Sequence, residues 1–217
     1  MPLPSIFSRK KDKTVAVPAA AAAPPEQDPV TAMFEKFKEA DEDKIGPEGI
    51  MNLCEQMRIE PTDVRLLILA WQLKAEVQGY FSRAEWLRGV GSLHADSPIL
   101  LLARLDSLLT QLHAAKTSPA FRDFYKFSFR FSRTPGQKSL ESESVVALLP
   151  MVLGVDHPHC VGLTTFLEAS PTIRGFNEDQ WTSFLLFSNE IKPDFSNFDP
   201  DGAWPSMLDD YVTHARA

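Results

Sequence analysis

From Asp28 onward the apolar residues recur at helical spacing. Met33, Phe34 and Phe37 lie at i, i+1 and i+4 and predict a helix over Thr31–Ala40. A second helix is expected over Pro47–Met57, with Ile50, Met51 and Cys54 inward. Glu60-Pro61-Thr62-Asp63 reads as a helix start, with Pro near the first turn. It leads into Leu66-Leu67-Ile68-Leu69-Ala70-Trp71-Gln72-Leu73, which is apolar nearly all round. A surface helix carries one apolar stripe. This one is expected either to be buried on two sides or to set one face in the core and the other in a groove that a partner fills.

The pattern continues through Ser82–Val90, with Trp86 and Leu87, and Pro98–Ala114, with Leu101, Leu102, Leu105, Leu108, Leu109 and Leu112. Ser118-Pro119 opens a segment in which two periods compete. Phe127, Phe129 and Phe131 alternate as in a strand, whereas Phe121, Phe124, Tyr125 and Phe131 fit a helix. No pairing strand is visible, so a helix is expected, ended by Thr134-Pro135-Gly136. Ser142–Leu153, Gly162–Glu168, Glu178–Ile191 and Pro205–His214 complete an all-α fold of about ten helices, with no internal repeat strong enough to assign. Trp181, Phe184, Leu185 and Ile191 fall on one face of the Glu178 helix.

Charge changes this picture near the carboxyl end. From Phe176 to Asp210, Glu178, Asp179, Glu190, Asp194, Asp199, Asp201, Asp209 and Asp210 face one base, Lys192. That segment alone carries the whole formal net charge of −7. Such a field draws cationic partners and repels nucleic acid. An acidic rim around Ala203, Trp204 and Met207 reads as a docking patch for a basic surface, or as a solvated turn that keeps the protein soluble.

At 217 residues and 44% hydrophobic content, the chain can bury one core or two packed lobes. No apolar run nears the ~20 residues of a membrane span. Cys54 and Cys160 show no metal spacing and read as reduced, buried thiols of a cytosolic or nuclear protein. Residues 1–28, rich in Pro, Ala and charge, read as a disordered tail. Within them Arg9-Lys10-Lys11-Asp12-Lys13 is a solvated charge run, a nuclear import signal or a contact for an anionic surface.

Three stretches partly match a calcium loop, which needs oxygen ligands at positions 1, 3, 5 and 12 and Gly at 6. Asn197, Asp199, Asp201 and Gly202 satisfy the first half, but position 12 is Leu208. Lys74–Glu85 has Gly79 and Glu85 in place but opens on a cation. Asp41–Asn52 places Ile45 at position 5. These partial matches predict EF-hand-like helix–loop–helix geometry without the ion, in an amino-terminal lobe (about 29–115) packed on a carboxy-terminal helical lobe (about 116–215). A calcium sensor or a plain adaptor is the alternative to a docking scaffold. His157-Pro158-His159-Cys160 lacks the second half of a metal site and reads as a surface loop. No nucleophile elbow, phosphate loop, HExxH or CxxC is present, and no metal or cofactor is implied.

Several ordered segments resemble the defective-in-cullin-neddylation family, scaffold-type ligases that promote attachment of a ubiquitin-like modifier to cullins. They are Asp43–Ile50, Ile68–Trp71, Phe124–Phe127, Pro135–Lys138, Asp201–Pro205 and Leu208–Val212. The likeness covers about residues 30–215; a short Pro/Ala-rich stretch stands where some members carry a ubiquitin-binding helical bundle. The resemblance implies a non-catalytic, potentiating-neddylation-type domain of the nucleus and cytoplasm. It implies cullin binding through Asp179, Ala203 and Asp209. It also implies an apolar pocket for the acetylated first Met of the conjugating enzyme, formed by Ile45, Pro47, Ile50, Leu66, Leu67, Ala70, Leu73, Gln78, Gly79, Phe81, Phe131 and Met151. Of these, Pro47, Leu73, Gly79 and Met151 depart in side chain from the family's usual pattern.

Overall fold

The computed structural model describes residues 28–217; the tail reading and the Arg9–Lys13 run lie outside the described residues, apart from Asp28. Asp28 caps the first helix, α1 (Pro29–Phe37), by accepting from the Thr31 N–H at 3.0 Å. A short strand β1 (Lys44–Ile45) leads into α2 (Pro47–Met57). After α3 (Val64–Leu73), β2 (Phe81–Ser82) leads into α4 (Arg83–Ser92). The two strands pair antiparallel, Lys44 opposite Ser82 and Ile45 opposite Phe81. This is the EF-hand-like plan expected of the amino-terminal lobe, with α1 packed on α4.

The same order of elements then recurs, which the sequence does not announce. Past α5 (Pro98–Ala114) come α6 (Pro119–Ser132), β3 (Ser139–Glu141), α7 (Ser142–Leu153), α8 (Cys160–Ala169), β4 (Gly175–Asn177) and α9 (Glu178–Glu190). Strands β3 and β4 pair antiparallel with Leu140 opposite Phe176, and α6 packs on α9 as α1 does on α4. The last helix, α10 (Ser206–Ala215), lies on α8. The fold is thus all-α in substance, with ten helices among the described residues. The two small ladders correct the expectation that no strands pair.

Local chemistry explains the boundaries. Ser82 with Glu85, and Asn177 with Gln180, form capping boxes at the starts of α4 and α9. Ser97 and Ser118 cap α5 and α6, each followed by Pro. Helices α2 and α3 stop without glycine. Arg58 and Lys74 take left-handed conformations, and the next residues, Ile59 and Ala75, donate back to Cys54 and Ala70 carbonyls.

The competing periods in α6 resolve on its surface. Phe121, Phe124, Tyr125 and Phe129 are buried, while Phe127 and Phe131, one turn apart, stack at 5.0 Å along an edge left half-exposed. A single apolar core runs from Met33 to Val212 and joins both lobes through packing of α3 on α6.

Candidate docking surfaces

An apolar cleft of about 440 Å³ opens where α2, the turn before α3, the 78–81 segment, α6 and α7 meet. Pro47, Ile50, Leu66, Leu67, Ala70, Gln78, Gly79, Phe81, Phe131 and Met151 line it together. On α3, Ile68, Leu69, Ala70 and Leu73 are buried while Leu66 and Leu67 are half-buried at the cleft, so the helix has one face in the core and one in this groove. Gly79 sits at φ +81°, and nothing lies within 4 Å of where its Cβ would be. The backbone at this wall is therefore open to a ligand.

Two expected pocket residues are elsewhere. Ile45 and Leu73 are fully buried. Ile45 is held inward by the ladder register with Phe81, and Leu73 lies where any side chain on Gly89 would strike it. Period alone cannot separate a helix residue facing a cleft from one facing the core a turn away. Conversely, Met51, Pro61, Thr62, Asp63, Ser132 and Leu148 line the cleft unanticipated. Met51, expected inward, is 62% exposed at the cleft, because its place one residue after Ile50 turns it about 100° away from the core.

Asp63 is the one ionisable side chain among the lining residues. It caps α3, its Oδ1 accepting from the Arg65 N–H at 2.8 Å. The Arg65 guanidinium grips both carboxylate oxygens, Nε to Oδ1 at 2.8 Å and Nη2 to Oδ2 at 2.6 Å, and reaches Asp106 at 3.0 Å. That grip holds the Asp63 carboxyl below the usual carboxylate range against the opposing effect of burial.

The acidic segment is wet and braced. Asp179 is exposed in the first turn of α9, where the helix dipole favours a carboxylate. Ala203 is exposed in the loop before α10. Asp209, in the first turn of α10, is less open than Asp179. It is half-buried, and its Oδ1 is sealed from solvent with no donor. The rest of the residue borders a cleft of about 490 Å³ with Phe198, Pro200, Val212, Thr213 and Arg216.

The elements carrying these residues converge on Phe187. Its ring meets Trp204 edge-on at 5.3 Å and Tyr211 at 6.1 Å. Asn197 bridges the Lys192 N–H and the Glu190 carbonyl, and Asp199 accepts from the Asp201 N–H at 3.0 Å. These side chains are committed to holding the loop, not to a common centre. Among the described residues no group of three or more His, Cys, Asp or Glu is placed to hold a metal ion.

The amino-terminal loops are tied by side chains as well. Glu85 accepts from the N–H groups of Ser82 (2.7 Å) and Glu76 (3.0 Å). Arg83, from the second loop, grips Asp43 of the first and Glu35 of α1, each at 2.6 Å.

The His157–Cys160 stretch is not a surface loop. His157, His159 and Cys160 are all buried. His159 bonds the Ile191 carbonyl at 3.0 Å and the Tyr211 hydroxyl at 3.2 Å. Burial pushes the Cys160 thiol up to about 11, so it is inert as a nucleophile. Both cysteines are free and buried, as expected.

A family profile described as cullin binding matches residues 101–214, which hold the acid-bearing elements. The human DCN1-like protein 5 is 38% identical over 181 residues, 83% of this chain and 74% of that protein. DCN1-like protein 4 of Danio rerio is 41% identical over 171 residues, 79% of this chain and 60% of that protein. The Drosophila melanogaster DCN1-like protein 4 is 34% identical over 186 residues, 85% and 73% of the respective chains. The chain belongs to the DCN1-like, cullin-binding family. Within this DCN1-like chain, the α2 and α3 walls of the apolar cleft precede the matched stretch, whereas its α6 and α7 walls, with Phe131 and Met151, fall inside it.

Proposed function

We propose that this protein promotes cullin neddylation as a non-catalytic scaffold, holding a cullin on its acidic surface and the acetylated amino terminus of the conjugating enzyme in its apolar cleft. Membership of the DCN1-like family supports cullin as a partner and a role in cullin neddylation. The observation that carries the rest is the mostly apolar cleft along α3, whose one ionisable lining group is a carboxylate already paired with Arg65. An initiating Met fully buried there contributes roughly 1.5–3 kcal/mol. A charged terminal amine would lose several kcal/mol of hydration with no anion to meet it, whereas an acetylated one needs only a hydrogen bond or two. Joining two weak contacts on one scaffold raises the effective concentration of each partner for the other and restricts their orientation.

The test is a reconstituted cullin-modification assay with and without this protein, paired with binding of acetylated and free amino-terminal peptides of the conjugating enzyme. Faster modification together with preference for the acetylated peptide is expected. An unchanged rate removes the scaffold reading; equal peptide affinities remove the acetyl-recognition reading.

A further inference from the structure

Resting on the acetyl-recognition reading above, we propose that Arg65 sets the selectivity of the cleft for an acetylated over a free amino terminus, by cancelling the one negative charge in its wall. Asp63 lines the cleft with its side chain 22% exposed, and no other lining residue ionises. Left alone, that carboxylate is the natural mate for an incoming ammonium, because opposite charges attract strongly where water is partly excluded. It is not left alone. Three donors from Arg65 occupy it: the backbone N–H and Nε on Oδ1, and Nη2 on Oδ2. The planar guanidinium matches a carboxylate bidentately, which a lysine ammonium does not.

Arg65 is itself anchored from behind. Its Nη1 donates to Asp106 of α5 at 3.0 Å, so the guanidinium stays in place without help from a ligand. Arg65 does not line the cleft and offers the ligand no contact; it acts through Asp63. Asp63 in turn is the cap of α3, so the positive end of that helix dipole lies at the same wall and adds to the rejection of a cation. The acids that precede Asp63 from the start of α2, Glu48, Glu55 and Glu60, are exposed to solvent and stay the same in every variant below. The wall is therefore polar in composition and neutral in effect, which suits an acetyl-amide and disfavours an amine.

The experiment is a set of paired titrations at low ionic strength. Each uses the same Met-first peptide from the conjugating enzyme, acetylated or free, against the full chain and its variants. The expected wild-type preference for the acetylated peptide is about a hundredfold or more, the ratio that corresponds to losing several kcal/mol of amine hydration. Arg65→Leu should shrink that ratio at least about threefold, by tightening the free peptide while leaving the acetylated one nearly unchanged. Asp63→Asn in the Arg65→Leu background should restore the ratio, since Asn still caps the helix but carries no charge. Asp63→Asn alone should hold or raise it.

An unchanged ratio in folded Arg65→Leu overturns the proposal. So does failure of the double variant to restore it, because charge would then not be the cause. If Arg65→Leu does not fold, Arg65→Gln and Asp63→Asn carry the same test; a fall in the ratio for Asp63→Asn is decisive against it. Absence of any wild-type preference overturns the acetyl-recognition reading itself, and this inference with it, and is distinguishable because it shows before any variant is made.

Discussion

Tyr125 and Trp181 hold each other twice. The Tyr125 hydroxyl donates to the Trp181 carbonyl at 3.0 Å, and the Trp181 indole N–H donates to the Tyr125 carbonyl at 2.8 Å. Their rings stack between these bonds at 4.5 Å and 16°. Both side chains are fully buried, so each bond satisfies a polar group that would otherwise be stranded. The clasp fixes α9, which carries Asp179, to α6, which carries Phe131 of the cleft. The two candidate docking surfaces are thereby held by one rigid joint.

Tyr125→Phe should cost about 0.5–1.5 kcal/mol, the net worth of one hydrogen bond, because the Trp181 carbonyl keeps its helical backbone partner and most of the packing stays. Trp181→Phe should cost more, since it also leaves a void in the core. Urea denaturation of the two single variants and the double variant measures this. Strict additivity of the three would show that the reciprocal pair is not a unit.

On the acidic surface, Asp179→Arg should abolish cullin pull-down with the melting temperature unchanged, because Asp179 is exposed in the first turn of α9. Asp209 needs a gentler change. With one oxygen sealed from water, Asp209→Arg would force a long cation against a packed helix and confuse binding with folding. Asp209→Asn keeps the shape and removes the charge. It should weaken cullin binding by about 1–2 kcal/mol, and less so at high salt. Full binding by both Asp179→Arg and Asp209→Asn would show that charge docking is not how the cullin is held.

Cleft and core residues of the same helical faces should separate cleanly. Met51→Arg alters a side chain 62% exposed at the rim, so stability should move by no more than about 0.5 kcal/mol. Its expected effect is on the acetylated peptide, with affinity falling about tenfold or more as a charge enters an apolar mouth. Leu73→Ala should do the reverse, costing about 2–5 kcal/mol of stability from a fully buried site. Differential scanning calorimetry and peptide titration on both variants give four numbers. Loss of peptide binding in a Leu73→Ala protein that melts normally would return Leu73 to the cleft.

Helices were legible where period, cap and breaker agree. Pro47–Met57, Pro98–Ala114 and Ser142–Leu153 have the expected ends; Pro marks the first two starts and Gly154 the last stop. The over-apolar α3 also signalled that one of its faces lies outside the core. The repeated plan of two ladder-linked helix pairs was not legible, since strands of two or three residues are too short to show a period and are specified by tertiary pairing. The burial of His157 and His159 was hidden for another reason. Their polarity suggests surface, but each finds its hydrogen bonds inside, from elements 31 and 52 residues away in the chain. The cleft's charge balance depends on Arg65 reaching back two residues and across to Asp106, a geometry no spacing rule contains.

His157 makes stability pH-dependent. Its Nε2–H donates to the Ser188 hydroxyl at 2.9 Å, whose own proton goes to the Leu185 carbonyl, and burial of the rest of the ring favours the neutral form. Burial first, then the nearby Lys116, His159 and His113 charges, push its pKa from 6.5 down to about 4. The unfolded chain takes up a proton near pH 6.5 that the folded chain resists until near pH 4. Stability from this group is therefore fully present above about pH 6.5 and is lost as pH falls towards 4, by about 3 kcal/mol at most. His159 and His113 are shifted the same way by burial and steepen the fall. The wild type should thus lose urea resistance between pH 6.5 and 4 more steeply than His157→Gln, which keeps a donor for Ser188 but cannot titrate. Parallel pH profiles for the two proteins would mean that His157 takes up its proton in the folded state as readily as in the unfolded one.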